Sequence, residues 1–424
     1  MNQLMEKLSD HLVPFATKLS ENRYLSAIRD SFITLMPIII GCSLFTLLNS
    51  VFLGKDHYFD QWFGIQLTGL VNMGTAIVQA GMNVMSLLLV FLIARHLSQH
   101  YKLDAETVAI TAVVDFLIVT VFGSTTKIGE YIQTYYLGAA GMFTAFIVSI
   151  GTVELMRFLF RFDALKIKMP ESVPSGIARS FNGMIPVIFT LIIFGLVRLI
   201  TDAIGSPLQD LIFNGLQQPF SAIVTSPVGI VVIYLFYMLL WGFGIHSAYI
   251  IGQPILEPLY LINLTANANA INAGHAATHL LTKPFTDSMM FMGGAGNMLA
   301  LIIAIFIVSK RKDYKEIAKL GFIPSIFNVS EPVMFGLPVV MNPILIIPMI
   351  LVTLVGLGIG TLATVTGFMS YTYVLVPWTT PPIINAFLGS GGNIGAAITA
   401  LVVLIVSVII YMPFVKAMDK MEGE

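Results

Sequence analysis

Two short stretches carry residues able to move a proton where the surrounding sequence is apolar. In "FNVSEPVMFGLP", residues 327 to 338, Glu331 lies between hydrophobic runs long enough to cross a bilayer. In "WGFGIHS", residues 241 to 247, His246 follows an apolar run and two glycines. A carboxylate and an imidazole are the usual proton acceptors and donors near neutral pH. An ionisable side chain at membrane depth is costly and points to function by default. Glu331 also follows Ser330 and precedes Pro332, a pattern that suits the first turn of a helix, so a capping carboxylate is the structural alternative. For His246 the alternative is a packed histidine.

A second set of polar residues suits a neutral ligand rich in hydroxyls. Asn263, Asn267, Asn269, Asn272, Thr282, Asp287 and Asn297 offer mixed donors and acceptors, and Asn328 adds another amide beside Glu331. Trp378 offers either a stacking face for a sugar ring or an interfacial anchor. Glu257, between Pro254 and Pro258, serves structure or site equally well. His275, His279 and Lys283 are four apart and share a face if helical. No cysteine or carboxylate cluster completes a metal ligand set with them, and no metal or other cofactor is expected.

The elements that must position these groups are membrane helices. Hydrophobic residues make up 56% of the 424, charged residues 11%, and the mean hydropathy is +0.86, which excludes an ordinary soluble domain. Apolar runs of spanning length occur at about 31–53, 70–94, 107–123, 137–157, 184–200, 227–245, 289–309, 343–366 and 394–415. They are continuous rather than alternating, so an all-α polytopic membrane protein is expected and a β-barrel is not. Residues 4–20, with Leu4, Leu8, Leu12, Phe15 and Leu19 at helical spacing, read as a surface helix rather than a cleavable signal. Cys42, the only cysteine, reads as a packed small residue. A net charge of −1 without basic runs gives nucleic acid no footing.

Lys and Arg fall on alternate loops: eighteen occupy 1–30, 95–106, 157–182, 310–319 and the C-terminus, against Lys55, Lys127 and Arg198 opposite. By the positive-inside rule both termini face the cytoplasm. Parity then requires one more crossing between 246 and 288, a stretch broken by Gly252, Pro254 and Pro258. Segments 320–342 and 371–393 must likewise enter and return. Irregular backbone survives at membrane depth only beside protein or a water-filled cavity, so these broken segments should line a cavity together. The chain accordingly divides into a helical scaffold over 1–200, which supplies a self-association face with small residues such as Gly138, Ala139, Ala140 and Gly141, and a ligand-handling part over 201–424. Residues 157–182 read as an interfacial helix and hinge between them.

Four ordered motifs, "WGFGIHS", "TKPFTDSMMFMGGAGN" (282–297), "FNVSEPVMFGLPVVMNP" (327–343) and "PWTTPPIINAFLGSGGN" (377–393), resemble enzyme IIC, the membrane subunit of the bacterial phosphoenolpyruvate-dependent sugar phosphotransferase system, in its lactose, cellobiose and diacetylchitobiose group. The resemblance implies about ten transmembrane helices, a homodimer joined through the N-terminal domain, and a C-terminal domain with two re-entrant hairpins around a β-linked disaccharide. It implies His246 and Glu331 as the catalytic pair beside the hydroxyl to be phosphorylated. Asn297, Asn328, Trp378, His279, Lys283 and Asp287 are the expected substrate contacts. The phosphoryl donor is expected on a separate enzyme IIB, since Cys42 lies in the scaffold half and no IIB-like segment follows residue 415. Ser247 and Asn393 depart from what many relatives carry and leave the choice of disaccharide open. A proton-coupled secondary transporter using Glu331 and His246 is the alternative from another class. A pore is disfavoured, for want of a ring-forming charge pattern or a filter-like repeat.

Overall fold

The structure is a computed structural model that describes residues 21–54, 58–120, 122–125, 129–167, 169–170, 173, 175–337 and 339–421, together with Pro14, Thr17 and Lys18. The expected surface helix at 4–20 therefore lies almost wholly outside the described residues. The chain forms two compact units, one made of 20–39 and 79–223, the other of 1–19, 40–78 and 224–424. The division falls inside the first long helix, α1 (Arg23–Leu47), and inside α3 (Thr68–Met82), which follows the short α2 (Tyr58–Phe63).

The first unit is built on α4 (Met85–His100), α5 (Ala105–Ile118), α6 (Met142–Leu159) and α7 (Ser175–Ile204). Leu89, Val90, Ile93, Ala94 and Leu97 recur at helical spacing on α4 and are fully buried, as are Val108, Ala109, Ala112 and Phe116 on α5. Between α5 and α6 the backbone makes a hairpin, β1 (Phe122–Thr125) against β2 (Gly129–Ile132), the one departure from an all-helical chain among the described residues. This unit also buries more polarity than its sequence announces. Asp115 is fully buried and accepts from Thr152 Oγ1 at 2.8 Å, and Gln209 donates to Thr120 Oγ1 at 2.9 Å.

Two expectations fail here. Ala139–Gly141 is a 3₁₀ turn rather than an open helix face, and Gly138, Ala139 and Gly141 are buried: Ser86 donates its backbone N–H to Leu137 O at 2.7 Å and its hydroxyl to Gly138 O at 2.5 Å. The expected interfacial helix at 157–182 is, in its described part, the end of α6, one 3₁₀ turn at Asp163–Leu165 and the start of α7. Pro170 and Pro174 disfavour helix at the residues before them.

The second unit carries the irregular elements. It begins within α9 (Gln218–Thr225), which follows α8 (Leu208–Ile212) and a π turn at Phe213–Gln217 at the end of the first unit, and at the break after α9 Ser226 caps α10 (Pro227–Gly242) by accepting from Gly229 N at 3.0 Å. A π-helical stretch, Ala248–Leu256, runs into α11 (Glu257–Asn272) in the region where parity calls for one more crossing, though it is not one of the stretches long and apolar enough to span a bilayer. An extended segment then leads to α12 (Lys283–Met289), α13 (Met298–Val308), α14 (Lys312–Ile326) and α15 (Glu331–Gly336). The long α16 (Pro343–Val365), the short α17 (Pro382–Gly389) and α18 (Ile394–Met421) complete it.

The run 289–309 is not one continuous helix. Gly293, Gly294, Gly296 and Asn297 hold φ of +78°, +91°, +74° and +52°, which interrupts it before α13. A Cβ on Gly294 would sit 2.5 Å from Ser330 Cβ, so this loop packs tightly on the residue before Glu331. Among the described residues five helical stretches are long and apolar enough to cross a bilayer, or six if the bent pair at 208–242 counts as one span. The protein is thus a nearly all-helical membrane protein.

Candidate functional site

The site begins where α10 stops. Gly244, at φ +77°, turns the chain away from the helix, and a Cβ there would come within 3.0 Å of Val340 Cγ1. Met341 N donates to Gly242 O at 2.7 Å, which locks the end of α10 against the segment leading into α16. His246 emerges from this junction with its ring between two aromatics: Trp241 at 4.3 Å between centroids, and Tyr249, stacked at 4.2 Å and 26°. The ring cannot swing freely. Its Nδ1 is buried and has no partner, and its Nε2 lies 3.5 Å from Glu331 Oε1.

Glu331 reaches that position from the opening turn of α15, with Pro332 next to it. A separation of 3.5 Å exceeds an N–H···O hydrogen bond of ordinary length, and catalytic contacts often tighten only when substrate is bound. Side-chain exposures of 33% for His246 and 44% for Glu331 leave both groups open to a ligand. The pair joins segments 85 positions apart in sequence (246 to 331).

The other expected contacts divide into struts and open groups. Asn328, at φ +63°, donates to Trp378 O at 2.5 Å and Thr380 O at 3.1 Å and accepts from Gly293 N at 2.8 Å. Its amide ties together the glycine loop, the approach to Glu331 and the "PWTTPP" segment. Asn297 is fully buried, accepting from Met292 N at 2.8 Å and donating to Ser407 Oγ at 3.1 Å. Tyr411 on α18 donates to Gly296 O at 2.5 Å and holds the same loop. Both asparagines therefore shape the site through backbone. Trp378 presents a side chain 39% exposed.

Lys283 and Asp287 form an ion pair on one face of α12, and Asp287 Oδ2 is buried without a partner. His275 and His279 do not share a helical face with Lys283, because 275–282 is not helical. Asn267 holds that segment flat: its amide accepts from Thr278 N and His279 N and donates to His279 O and Thr372 O. Asn263 donates to Leu281 O at 2.8 Å. His279 itself is exposed, and Asn269 and Asn272 also face outward. Among the described residues no group of three or more His, Cys, Asp or Glu side chains could hold a metal ion.

Sequence reasoning missed the clamp around His246. Trp241 and Tyr249 lie five positions before and three after it, a flanking that only the turn at Gly244 converts into contact. It also missed Ser247 and Trp241, whose buried polar atoms lie beside the Tyr237 hydroxyl.

Comparison with known proteins identifies the family. A family profile described as "Phosphotransferase system, EIIC" matches residues 29–353. The oligo-beta-mannoside-specific EIIC component of Bacillus subtilis (strain 168) is 35% identical over 99% of this chain and 95% of its own length. The cellobiose-specific EIIC component of Geobacillus stearothermophilus is 31% identical over 100% of this chain and 96% of its own. The crystal structure of the transporter ChbC, the IIC component from the N,N'-diacetylchitobiose-specific phosphotransferase system, superposes with a TM-score of 0.89 at 33% identity, covering 98% of both chains. The chain belongs to the EIIC family of the phosphotransferase system.

Proposed function

We propose that this EIIC protein takes a β-linked disaccharide across the bacterial cell membrane while phospho-enzyme IIB phosphorylates it, with the acceptor hydroxyl held between Glu331 and His246. The observation that carries this reading is the 3.5 Å approach of His246 Nε2 to Glu331 Oε1 at a half-open site. In the step itself the sugar hydroxyl oxygen attacks the phosphorus of the IIB phosphocysteine. The O–P bond forms, the S–P bond breaks, and the hydroxyl proton passes to Glu331. His246, packed against Trp241 and Tyr249, turns its Nε2 toward the carboxylate and orients it. The protein supplies position and a proton acceptor. The covalent chemistry belongs to the donor.

Substrate class follows from the relatives' names, and the aromatic rings of Trp241 and Tyr249 beside His246 suit a sugar ring. The basic segment Lys310–Lys319 faces the cytoplasm in this reading, as do both termini, with the glycine loop and the "SEP" turn as re-entrant elements. The working form is a homodimer associating through the first half of the chain.

The test is reconstitution of purified protein with phosphorylated IIB and a panel of β-linked disaccharides. Sugar phosphate appearing only with phospho-IIB is the expected result. Free sugar accumulating under a pH gradient, without phosphorylation, would move the protein to the secondary-transporter class.

A further inference from the structure

A cavity of about 570 Å³ opens in the second unit away from the His246–Glu331 pair. Its walls come from the end of α11, the end of α16 and the turn before α18, at Ile271, Thr364, Ser370, Tyr371, Tyr373 and Asn393 among others. Two helical elements fix how far it lies from the pair. The stretch 248–272 begins two residues after His246 and ends at the cavity. α16 begins beside Gly242 and ends there too. At 1.5 Å per residue each covers roughly 35 Å. α18 starts at the cavity, and near its other end Asp419 accepts from Ser309 Oγ at 2.8 Å and Lys310 N at 2.6 Å, next to the basic segment. The cavity and the basic segment thus lie at opposite ends of α18.

The lining contains no Asp, Glu, Lys, Arg or His. The hydroxyls of Ser370, Tyr371 and Tyr373 make no hydrogen bond among the described residues, and the Asn393 amide uses only its oxygen, which accepts from Ala396 N at 2.9 Å. Gly367, Gly391 and Gly392 hold φ of +78°, +72° and +88°, and the Tyr373 hydroxyl packs where a Cβ on Gly391 would stand. An uncharged, hydroxyl-lined cavity with two half-buried tyrosines does not suit an ion. Its volume lies in the range of small-molecule sites, and phenol rings with free hydroxyls match the apolar faces and hydroxyls of a neutral carbohydrate.

We infer that this cavity is an outer-face sugar-binding subsite, where the disaccharide is captured before it passes to the His246–Glu331 pair. The inference rests on the proposed sugar-permease reading and its orientation. Capture at the outer face is required only when sugar arrives from outside. Sugar supplied from the cytoplasmic side reaches the pair without it.

The experiment compares the two sides. Right-side-out vesicles loaded with phosphoenolpyruvate and the soluble phosphotransferase proteins take up radiolabelled cellobiose, lactose and N,N'-diacetylchitobiose in parallel. Inside-out vesicles phosphorylate the same sugars supplied to the cytoplasmic face, and the sugar handled fastest by the unaltered protein serves as reporter. Tyr371→Phe combined with Tyr373→Phe should raise the KM for uptake at least fivefold and leave inside-out phosphorylation within twofold. Independently, Ser370→Cys in a Cys42→Ser background, treated with a membrane-impermeant thiol reagent from outside, should lose uptake at least tenfold, with protection by the reporter sugar. Unchanged uptake KM in the double variant, complete labelling of Ser370→Cys with normal uptake, or equal losses in both vesicle types would each overturn the outer subsite. If the unaltered protein phosphorylates none of the sugars from either side, the permease reading itself fails, and that outcome is visible before any variant is made.

Discussion

His246 Nε2 stands 3.5 Å from Glu331 Oε1, and the imidazole packs there against Trp241 and Tyr249. A ring packed against two aromatics is restrained in where it can aim its nitrogen. His246→Ala removes both that partner and a ligand contact. Disaccharide affinity should fall about tenfold, or about 1.4 kcal/mol, and phosphorylation should fall further. Equilibrium binding with labelled sugar, set beside initial rates with phospho-IIB, measures the two effects. Undiminished binding and rate would make His246 a packing residue.

Asn328 tests whether the asparagines act through structure. Asn328→Ala leaves Gly293 N, Trp378 O and Thr380 O without their partner, a loss on the order of 3 kcal/mol. Thermal unfolding in detergent should show a clear drop in Tm, with binding and phosphorylation falling in step. A full-stability variant that has lost only sugar binding would instead make Asn328 a direct contact.

Gly294 reads out the packing behind Glu331. At φ +91° and with Ser330 Cβ 2.5 Å from any added Cβ, Gly294→Ala must displace Ser330 and with it the start of α15. Gly274→Ala is the control: its φ is +77°, with nothing within 4 Å of the added carbon. Both carry backbone strain of about 1–2 kcal/mol. Only the first should lower the phosphorylation rate, by tenfold or more. Equal rates in the two variants would detach the glycine loop from the site.

Self-association is expected on the first half of the chain. The small-residue turn at Ala139–Gly141 is closed off by Ser86, while Leu196, Leu199 and Ile200 on α7 present large apolar surface. Single cysteines on that face of α7, in a Cys42→Ser background, should cross-link between copies in native membranes. Cross-links confined to cysteines placed in 225–415 would contradict a dimer built on the first half.

Much of this arrangement is written locally in the chain. Apolar runs gave the long helices, because continuous hydrophobicity over twenty residues admits few other conformations in a bilayer. Glu331 and His246 stood out as ionisable groups in apolar surroundings. What local reading missed depends on long-range contact. Trp241 and Tyr249 become a clamp only through the turn at Gly244, and Asn328 becomes a strut only when residues 293 and 378 arrive beside it. The run 289–309 looked like one span because hydropathy averages over its glycines, whereas four positive φ angles break it. His275, His279 and Lys283 share a face only if helical, but His275 N donates to Ala270 O just past the end of α11 and Asn267 holds Thr278 and His279 in a non-helical segment.

The proton-accepting role of Glu331 is tested most directly by Glu331→Gln, which keeps the size and one carbonyl oxygen but removes the charge. Disaccharide affinity, Tm and sugar-phosphate formation with phospho-IIB are measured side by side on the purified variant. The expected result is affinity within about threefold and unchanged Tm, with phosphorylation lowered at least a hundredfold, the size of a lost general base. A rate that falls only in proportion to a Tm loss of on the order of 1 kcal/mol would make Glu331 a helix cap, and normal phosphorylation by Glu331→Gln would remove the carboxylate from the mechanism.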